Sequence, residues 1–580
     1  MNIRQLLETR VEQAMLAAGV AKDSPAVIKP SGRPEFGDYQ ANGIMGAAKK
    51  LKMNPRQLAS SVLEQLDLDG IADTVKIAGP GFINIHLSDE WLSTRAEHTL
   101  KDETLNIEPS VPAQTIVIDY SSPNLAKEMH VGHLRSTILG DVMARTLKFL
   151  GHKVIPQNHV GDWGTQFGML LAHMKSLMDN AAGDDTLSMQ LADLEVFYRD
   201  AKSRFDNEAG FADIARDYVV KLQSGDEECH TLWQQFVEVS LSHCDAVYER
   251  LGVLLTRDDL KPESAYNDDL PQVVEDLKKA GLITENEGAQ CVFLEEFKGR
   301  DDKILPAIIQ KSDGGYLYAT SDLAALRYRH NVLHANRMLY CVDARQSTHL
   351  AQVYAIAKKA GFVPESTSLE HMAFGTMMGA NGKPFATRSG GTVKLVDLLE
   401  EAEQRAFALV SEKNPTLDET LRHEIAKLVG IGAVKYADLS KNRTSDYIFN
   451  WDTMLSFEGN TAPYLQYAHA RICSIFAKAG DVDTTANIAI KAPAEHQLAL
   501  SLMRFPEALE VVEQDATPNM LCNYLFDLAG NFMTFYEACP ILKDDVAVED
   551  RNSRLQLARL TANTLKTGLG LLGIEAPERM

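Results

Sequence analysis

Two histidines three residues apart, His130 and His133, flank Val131 and Gly132 in the string SSPNLAKEMHVGHLRST (121–137), with Lys127 just upstream. A short apolar run, TIVID (115–119), precedes them, and Leu134, Ile138 and Val142 follow at spacing four. The pair therefore falls at a strand-to-helix junction. A helix head carries unsatisfied N–H groups and a partial positive charge, which suits it to an anion. Gly132 has no side chain to hold a ligand off the backbone. His130 and His133 share one face of the first turn, where both can donate to phosphate oxygens. Two other readings stay open on the residues alone. The pair could be zinc ligands, although no third or fourth ligand lies nearby, or plain surface histidines at a helix start.

Two further segments carry chemistry. In MMGANGKPFATRSGGTVKL (377–395), Lys383 and Arg388 stand among Gly379, Gly382, Gly390 and Gly391, a composition that suits a pliable phosphate-binding loop or a merely solvated one. Near the carboxyl end, Tyr464, Tyr467, His469 and Arg471 lie on adjacent faces of one helical stretch. Aromatics beside a cation can stack on unpaired bases, but the same stripe also serves as ordinary core.

The elements that must position these groups are legible in outline. Residues 1–110 read as a small α/β domain. Ile3, Leu7, Val11 and Met15 mark a helix, RPEFGDYQAN (33–42) an ordered loop, and TVKIAGPGFINIHLS (74–88) a hairpin turning at Gly79-Pro80-Gly81. After Pro109 and Pro112, TIVID, the histidine-bearing helix and VIPQNHV (154–160) form a strand–helix–strand unit. Such a unit predicts a parallel sheet with its ligand at the strands' carboxyl ends. Residues of about 170–250 read as a helical insertion. Strand-like runs return at 291–296, 304–310 and 338–344, from which the same sheet is expected to resume. From residue 455 to 580 long helical patterns dominate.

The bulk numbers set limits. The chain has 580 residues with 58 Lys+Arg against 80 Asp+Glu, a net charge of −22. At 45% hydrophobic and 24% charged it has a globular composition, and its length suggests several domains. No apolar run is long enough to cross a bilayer, and the first residues lack the apolar stretch of a secretory signal. The seven cysteines are scattered without a C-x-x-C, so neither a structural zinc nor a disulfide framework is expected, and a cytoplasmic setting fits. The acidic total speaks against nucleic acid only weakly, since a basic groove can sit among acidic flanks.

The segment His130-Val131-Gly132-His133, in its strand-to-helix setting, resembles the first signature of class I aminoacyl-tRNA synthetases and related nucleotidyltransferases. The wider string SSPNLAKEMHVGHLRSTILGD looks like the arginyl family of the bacterial kind. So do NHVGDWGTQFGML (158–170), GGYLYATSDLAALRYR (314–329), VDARQSTHLAQV (342–353), SKNRTSDYIFNWD (440–452) and GNTAPYLQYAHARICSI (459–475), in the family's order. The resemblance implies an N-terminal α/β tRNA-contact domain (1–110) and a Rossmann-like parallel-sheet catalytic domain (111–454). A C-terminal all-α anticodon-binding domain (455–580) completes the α/β chain.

The resemblance also implies residue roles. Asp119, Asn124, His130, Glu263, Tyr318, Asp322 and Gln346 match the amino-acid pocket. Glu263 and Asp322 would take the guanidinium with Tyr318 beside it, while Asp119 and Gln346 would take the α-amino end. His130, His133, Lys127, Lys383 and Arg388 would supply charge around ATP, with Gly132 at the nucleotide. The 377–395 stretch departs from the family's second signature, because Ala386 stands where a second lysine is expected; Lys127 would supply that charge. The implied reaction joins L-arginine to tRNA(Arg) through an arginyl-adenylate, with ATP as substrate and Mg2+ held by phosphates and water. A monomer without membrane contact or editing domain is expected. Two rivals remain: a related nucleotidyltransferase acting on another small acid, and a non-catalytic tRNA-binding relative.

Overall fold

The structure is a computed structural model and describes residues 2–125, 127–180, 193–299, 302–386, 393–480 and 482–580. It divides into two compact units. One gathers residues from both ends of the chain, Met1–Glu108, Ser456–Leu571 and Glu575–Met580. The other is Pro109–Leu455 with Leu572–Ile574.

In the first unit, strands β1 (Ile28–Pro30), β2 (Tyr39–Ala41), β3 (Ala72–Ala78) and β4 (Phe82–Leu87) form an antiparallel sheet in the order β1-β2-β4-β3. The hairpin expected at 74–88 is β3–β4. Its turn needs glycine: Gly81 has φ +145 and a Cβ there would meet the Pro55 carbonyl oxygen at 2.8 Å. The first helix, Ile3–Ala17, buries Ile3, Leu7, Val11, Ala14 and Met15, the spacing-four face read from sequence. Helices Ile44–Leu51, Pro55–Gln65 and Asp89–Leu100 lie in the N-terminal part, and Ala462–Ala479, Pro493–Met503, Phe505–Asp515, Pro518–Ala538 and Val548–Leu571 belong to the C-terminal part of the same unit.

The second unit is built on a parallel sheet of β5 (Thr115–Asp119), β6 (Lys153–Gln157), β10 (Arg337–Tyr340) and β11 (Ser368–His371), ordered β11-β10-β5-β6. The chain leaves β5 toward β6 on one side and reaches β10 on the other. The β5/β10 boundary is thus a switch point, where a crevice opens at the carboxyl ends. Helices Thr165–Asn180, Leu194–Asn207, Phe211–Ser224 and Glu227–Leu251 make up the insertion expected near 170–250.

One sequence expectation needs correction. The runs at 291–296 and 304–310 do not rejoin the parallel sheet. They belong to β8 (Ala289–Lys298) and β9 (Ile304–Gln310), which with β7 (Ile283–Asn286) form a separate antiparallel sheet. The five residues between β8 and β9 are enough for a hairpin and too few for a parallel crossover. No helix among the described residues is long and apolar enough to cross a membrane.

Candidate active site

β5 ends at Asp119, and the chain turns through Ser121 and Ser122, both left-handed at φ 66 and φ 45. Two such non-glycine residues in succession are held against a cost of about 1–3 kcal/mol each. The restraints are visible. Ser121 N–H donates to Ser136 Oγ (3.0 Å), Ser121 Oγ meets Tyr248 Oη (2.7 Å), and Ser122 Oγ donates to Asp119 Oδ1 (2.7 Å). Asn124 then runs beside Gly161, and Gln166 Nε2 donates to its Oδ1 at 3.0 Å.

His130 is the N-cap of the helix Val131–Phe149. Its Nδ1 accepts the Gly132 N–H (3.0 Å), while His133 Nδ1 accepts the N–H of His130 (3.0 Å). The two rings lie 4.0 Å apart. Each Nδ1 is thus an acceptor, so each imidazole carries its proton on Nε2. Burial lowers both, His133 to about 3 with His130's proximity adding to the effect. The expectation that these histidines supply positive charge is therefore corrected: they are neutral Nε2–H donors. Gly132 is required by the fold as well as by any ligand, since a Cβ would lie 2.7 Å from His130 Cε1.

Real cations stand close by. Lys127 is exposed and its Nζ lies 4.4 Å over the ring of Tyr198, on the insertion helix Leu194–Asn207. Lys383 is exposed on a tight turn in which Gly379 N–H donates to Lys383 O (2.8 Å). Arg388, with Gly390 and Gly391, lies outside the described residues. The flanks of this loop are fixed. On one side β12 (Met377–Met378) pairs with β13 (Tyr447–Ile448). On the other, Val131 N–H donates to Val393 O (3.1 Å) and Leu395 N–H to Met129 O (3.0 Å). Lys394 Nζ adds ion pairs to Glu128 (3.1 Å) and Asp193 (3.0 Å). The two signature segments are hydrogen-bonded neighbours.

The carboxylates gather at the end of the same sheet. Past Gln157 the chain of β6 runs on beside 259–263, with Asn158 N–H on Asp259 O (2.9 Å) and Glu263 N–H on Val160 O (3.1 Å). That extension carries Glu263 to the crevice. Tyr318 and Asp322, one turn apart, lie in the first turns of the helix Tyr318–Asn331. Glu263 is pushed up to about 8 by burial and by the negative charges of Asp322 and Asp162. Among the described residues Glu263 has no ion pair, whereas Asp322 Oδ2 is met by His349 Nε2 at 2.6 Å. Asp322 does not cap its helix, whose N-cap is Leu317. Tyr318 is no core residue, being 64% exposed.

Asp119 is more heavily engaged than its sequence role suggests. Its Oδ2 accepts from Arg329 Nη2 (2.7 Å) and its Oδ1 from Ser122. Burial pushes Asp119 up, but Arg329, His159 and Ser122 outweigh it and hold the carboxyl below its usual range. Gln346 is exposed at the end of the short turn Ala344–Gln346, next to Arg345, whose guanidinium is paired with Asp343 (2.8 Å). Sequence reasoning missed Arg329, His349 and Tyr198. His349 had a signal, lying three residues after Gln346 in VDARQSTHLAQV. Tyr198 had none.

The helix Ala462–Ala479, in the other unit, splits the stripe read from sequence. His469 is core, 3% exposed, with Nδ1 against Pro577 O (3.0 Å), and Tyr464 packs on Phe526. Tyr467 stays exposed, as does Arg471, which lies over Tyr536.

Comparison with known proteins accounts for the arrangement. The family "tRNA synthetases class I (R), catalytic domain" matches residues 97–451, the "DALR anticodon binding domain" 465–580, and the "Arginyl tRNA synthetase N terminal domain" 1–87. An arginine–tRNA ligase of Hahella chejuensis is 61% identical over 582 residues, covering all of both chains. One from Chromobacterium violaceum is 60% identical over 580 residues, again covering both completely. Among solved structures, arginyl-tRNA synthetase from Plasmodium falciparum superposes with a TM-score of 0.85 at 30% identity, covering 100% of this chain and 99% of that one. The Thermus thermophilus arginyl-tRNA synthetase gives 0.84 at 26% identity, with full coverage of both. With catalytic, N-terminal and anticodon-binding segments matched in order along its whole length, the chain belongs to the arginyl-tRNA synthetases of class I.

Proposed function

We infer that this chain ligates L-arginine to tRNA(Arg) in two steps, and that the residues gathered above divide the work. The arginine carboxylate attacks the α-phosphorus of ATP; an oxygen–phosphorus bond forms, pyrophosphate leaves, and arginyl-adenylate remains. A ribose hydroxyl at the tRNA 3′ end then attacks the arginyl carbonyl and AMP departs. The observation that carries this reading is the pair Glu263 and Asp322, two carboxylates close enough to repel at the crevice of a sheet whose neighbouring helix head is built for phosphate. A guanidinium is planar, permanently charged and able to bond both.

In this scheme arginine takes Asp322 from His349 and draws the proton off Glu263, while Tyr318 flanks the side chain. Asp119 and Gln346 serve the α-ammonium, Asp119 through the lone pairs that Arg329 and Ser122 leave. Asn124 and His130 line the same pocket, and Gly132 lets the nucleotide approach. His130 and His133 give neutral Nε2–H bonds to the phosphates. Lys127, Lys383 and Arg388 balance the charge that grows as pyrophosphate leaves. Lys127, now over Tyr198, stands in for the lysine absent at Ala386. Magnesium arrives as Mg·ATP, bound through phosphate and water.

We further propose the division 1–110, 111–454 and 455–580 into tRNA-contact, catalytic and anticodon-binding domains. Tyr467 and Arg471 are the exposed members of the 464–471 group suited to RNA. The deciding test is AMP formation with arginine and tRNA supplied or withheld. AMP formation that requires both supports the reading. Turnover with another small acid and no tRNA would indicate the nucleotidyltransferase alternative, and tRNA binding without turnover the non-catalytic one.

A further inference from the structure

Within the unit built from both chain ends, three metal-ligating side chains converge from three separate elements. Asp38 precedes β2, His86 lies on β4, and His496 is in the first turns of the helix Pro493–Met503. One ligand atom from each lies within 4.8 Å of the others, the one such group found among the described residues. His86 Nδ1 is 3.0 Å from Asp38 Oδ2, and His496 Nε2 is 3.0 Å from Asp38 Oδ1. We propose that Asp38, His86 and His496 form a binding site for a divalent transition metal of the zinc class, clamping the N-terminal sheet to the terminal helices.

Four features point to a metal rather than a chance ion pair. The first is what lies behind His496: its other nitrogen, Nδ1, is 2.6 Å from Asp89 Oδ1. A metal-bound histidine almost always gives its far N–H to a carboxylate or carbonyl, which fixes the tautomer and aims the ring. The second is spacing. Bonds of about 2.0–2.1 Å in a tetrahedron place neighbouring ligand atoms roughly 3.3 Å apart; each histidine nitrogen lies 3.0 Å from one of the two Asp38 oxygens, and the three ligand atoms lie within 4.8 Å of one another. The third is charge: Asp38 and Asp89 bring two carboxylates to the two nitrogens of His496, more negative charge than one imidazolium proton balances and as much as a dication does. The fourth is access: Asp38 is buried and His496 nearly so, while the His86 side chain is 49% exposed and leaves a path and a coordination position for water.

The surroundings take one lone pair of the Asp38 carboxylate and leave the rest. Leu87 N–H donates to Asp38 Oδ2 (2.7 Å), and Arg504 binds the Asp38 carbonyl (2.7 Å), not its carboxylate. The nearby Glu495 is taken by Arg554 (2.8 Å) and by the Lys491 and Ala492 N–H groups. Imidazole and carboxylate donors without thiolate favour Zn2+ over Ca2+ or Mg2+. Residues 38, 86 and 496 have no spacing that announces such a site, so the expectation of no structural zinc, drawn from cysteines, did not bear on it.

The test uses the full-length protein stripped with chelator and titrated with Zn2+ against a chromogenic zinc indicator. One equivalent should be withheld from the indicator by the unmodified chain and by Cys473→Ser, which removes the one half-exposed thiol. His86→Gln and His496→Ala should each abolish retention, and Asp89→Asn should weaken it about 10–100-fold. Because His496→Ala could disturb folding, His86→Gln at the exposed ligand and a second measurement guard the result. Co2+ added to the unmodified chain should give ligand-field bands without a thiolate charge-transfer band. No retained equivalent, retention that survives both histidine substitutions, or a thiolate band would each overturn the site.

Discussion

The two ends of the candidate active site are built on opposite principles. At the helix head the backbone groups are already engaged: His130 Nδ1 holds the Gly132 N–H, His133 Nδ1 holds the His130 N–H, and Ser121 and Ser122 are tied to their neighbours. At the carboxylate end, Glu263 and Asp322 repel each other, and among the described residues His349 is the counter-charge paired with them. The helix head is held by its own hydrogen bonds and its two imidazoles are neutral. The carboxylate end holds an excess of negative charge, which the arginine guanidinium of the proposed reaction would balance. Preorganisation serves rate at the first and selectivity at the second.

The sharpest way to break the comparison is to remove the cation from the substrate. Citrulline, the neutral isostere of arginine, should lose about 10⁴–10⁵ in kcat/KM, because it strands buried polar groups. Equal use of the two amino acids in aminoacylation would show the carboxylate pair to be irrelevant. Next in size, Lys127→Ala should slow activation by about 10²–10³ with little change in arginine KM. An effect under about threefold on that scale would mean that the lysine over Tyr198 never reaches the phosphates.

A smaller effect concerns pH. With Glu263 at about 8, the carboxyl is mostly protonated at neutral pH, and a guanidinium prefers its ionised form. Arginine binding therefore releases a proton, and arginine KM should fall as pH rises through about 8, by up to about tenfold per unit below that point. Glu263→Gln should flatten the profile while raising KM throughout. The helix head predicts the reverse: with His133 near 3, its imidazole should not titrate in the kcat profile at neutral pH. Smallest is Gly140→Ala. Its Cβ would meet Tyr120 Cβ at 2.2 Å, so a loss of about 1–3 kcal/mol in urea unfolding is expected without change in arginine KM.

What was readable in the sequence follows the same divide. Local signals served the helix head well, because strand, turn and helix are contiguous in residues 115–149 and their periodicities are strong. The charge state of the two histidines was misread, since it depends on which nitrogen the backbone engages, a matter of angle rather than spacing. The carboxylate pair was reachable only through family resemblance: Glu263 arrives by a strand extension from β6, and nothing local couples it to Asp322, 59 residues on. The runs at 291–296 and 304–310 looked like sheet and were, but periodicity does not say which sheet. His469 shows the same weakness in a helix, where one polar residue on an apolar face proved to be core.

The unit assembled from the two chain ends has a consequence for biosynthesis. Residues 1–108 leave the ribosome before the helices that complete their core, 456–571, have been made. At about 5–20 residues per second, translating the intervening stretch takes roughly 20–70 s. Through that interval the helix Asp89–Leu100 waits without Pro493–Met503 and Val548–Leu571, the helices it packs against. Nascent molecules halted within that window are therefore the ones most exposed to proteases and in greatest need of a chaperone.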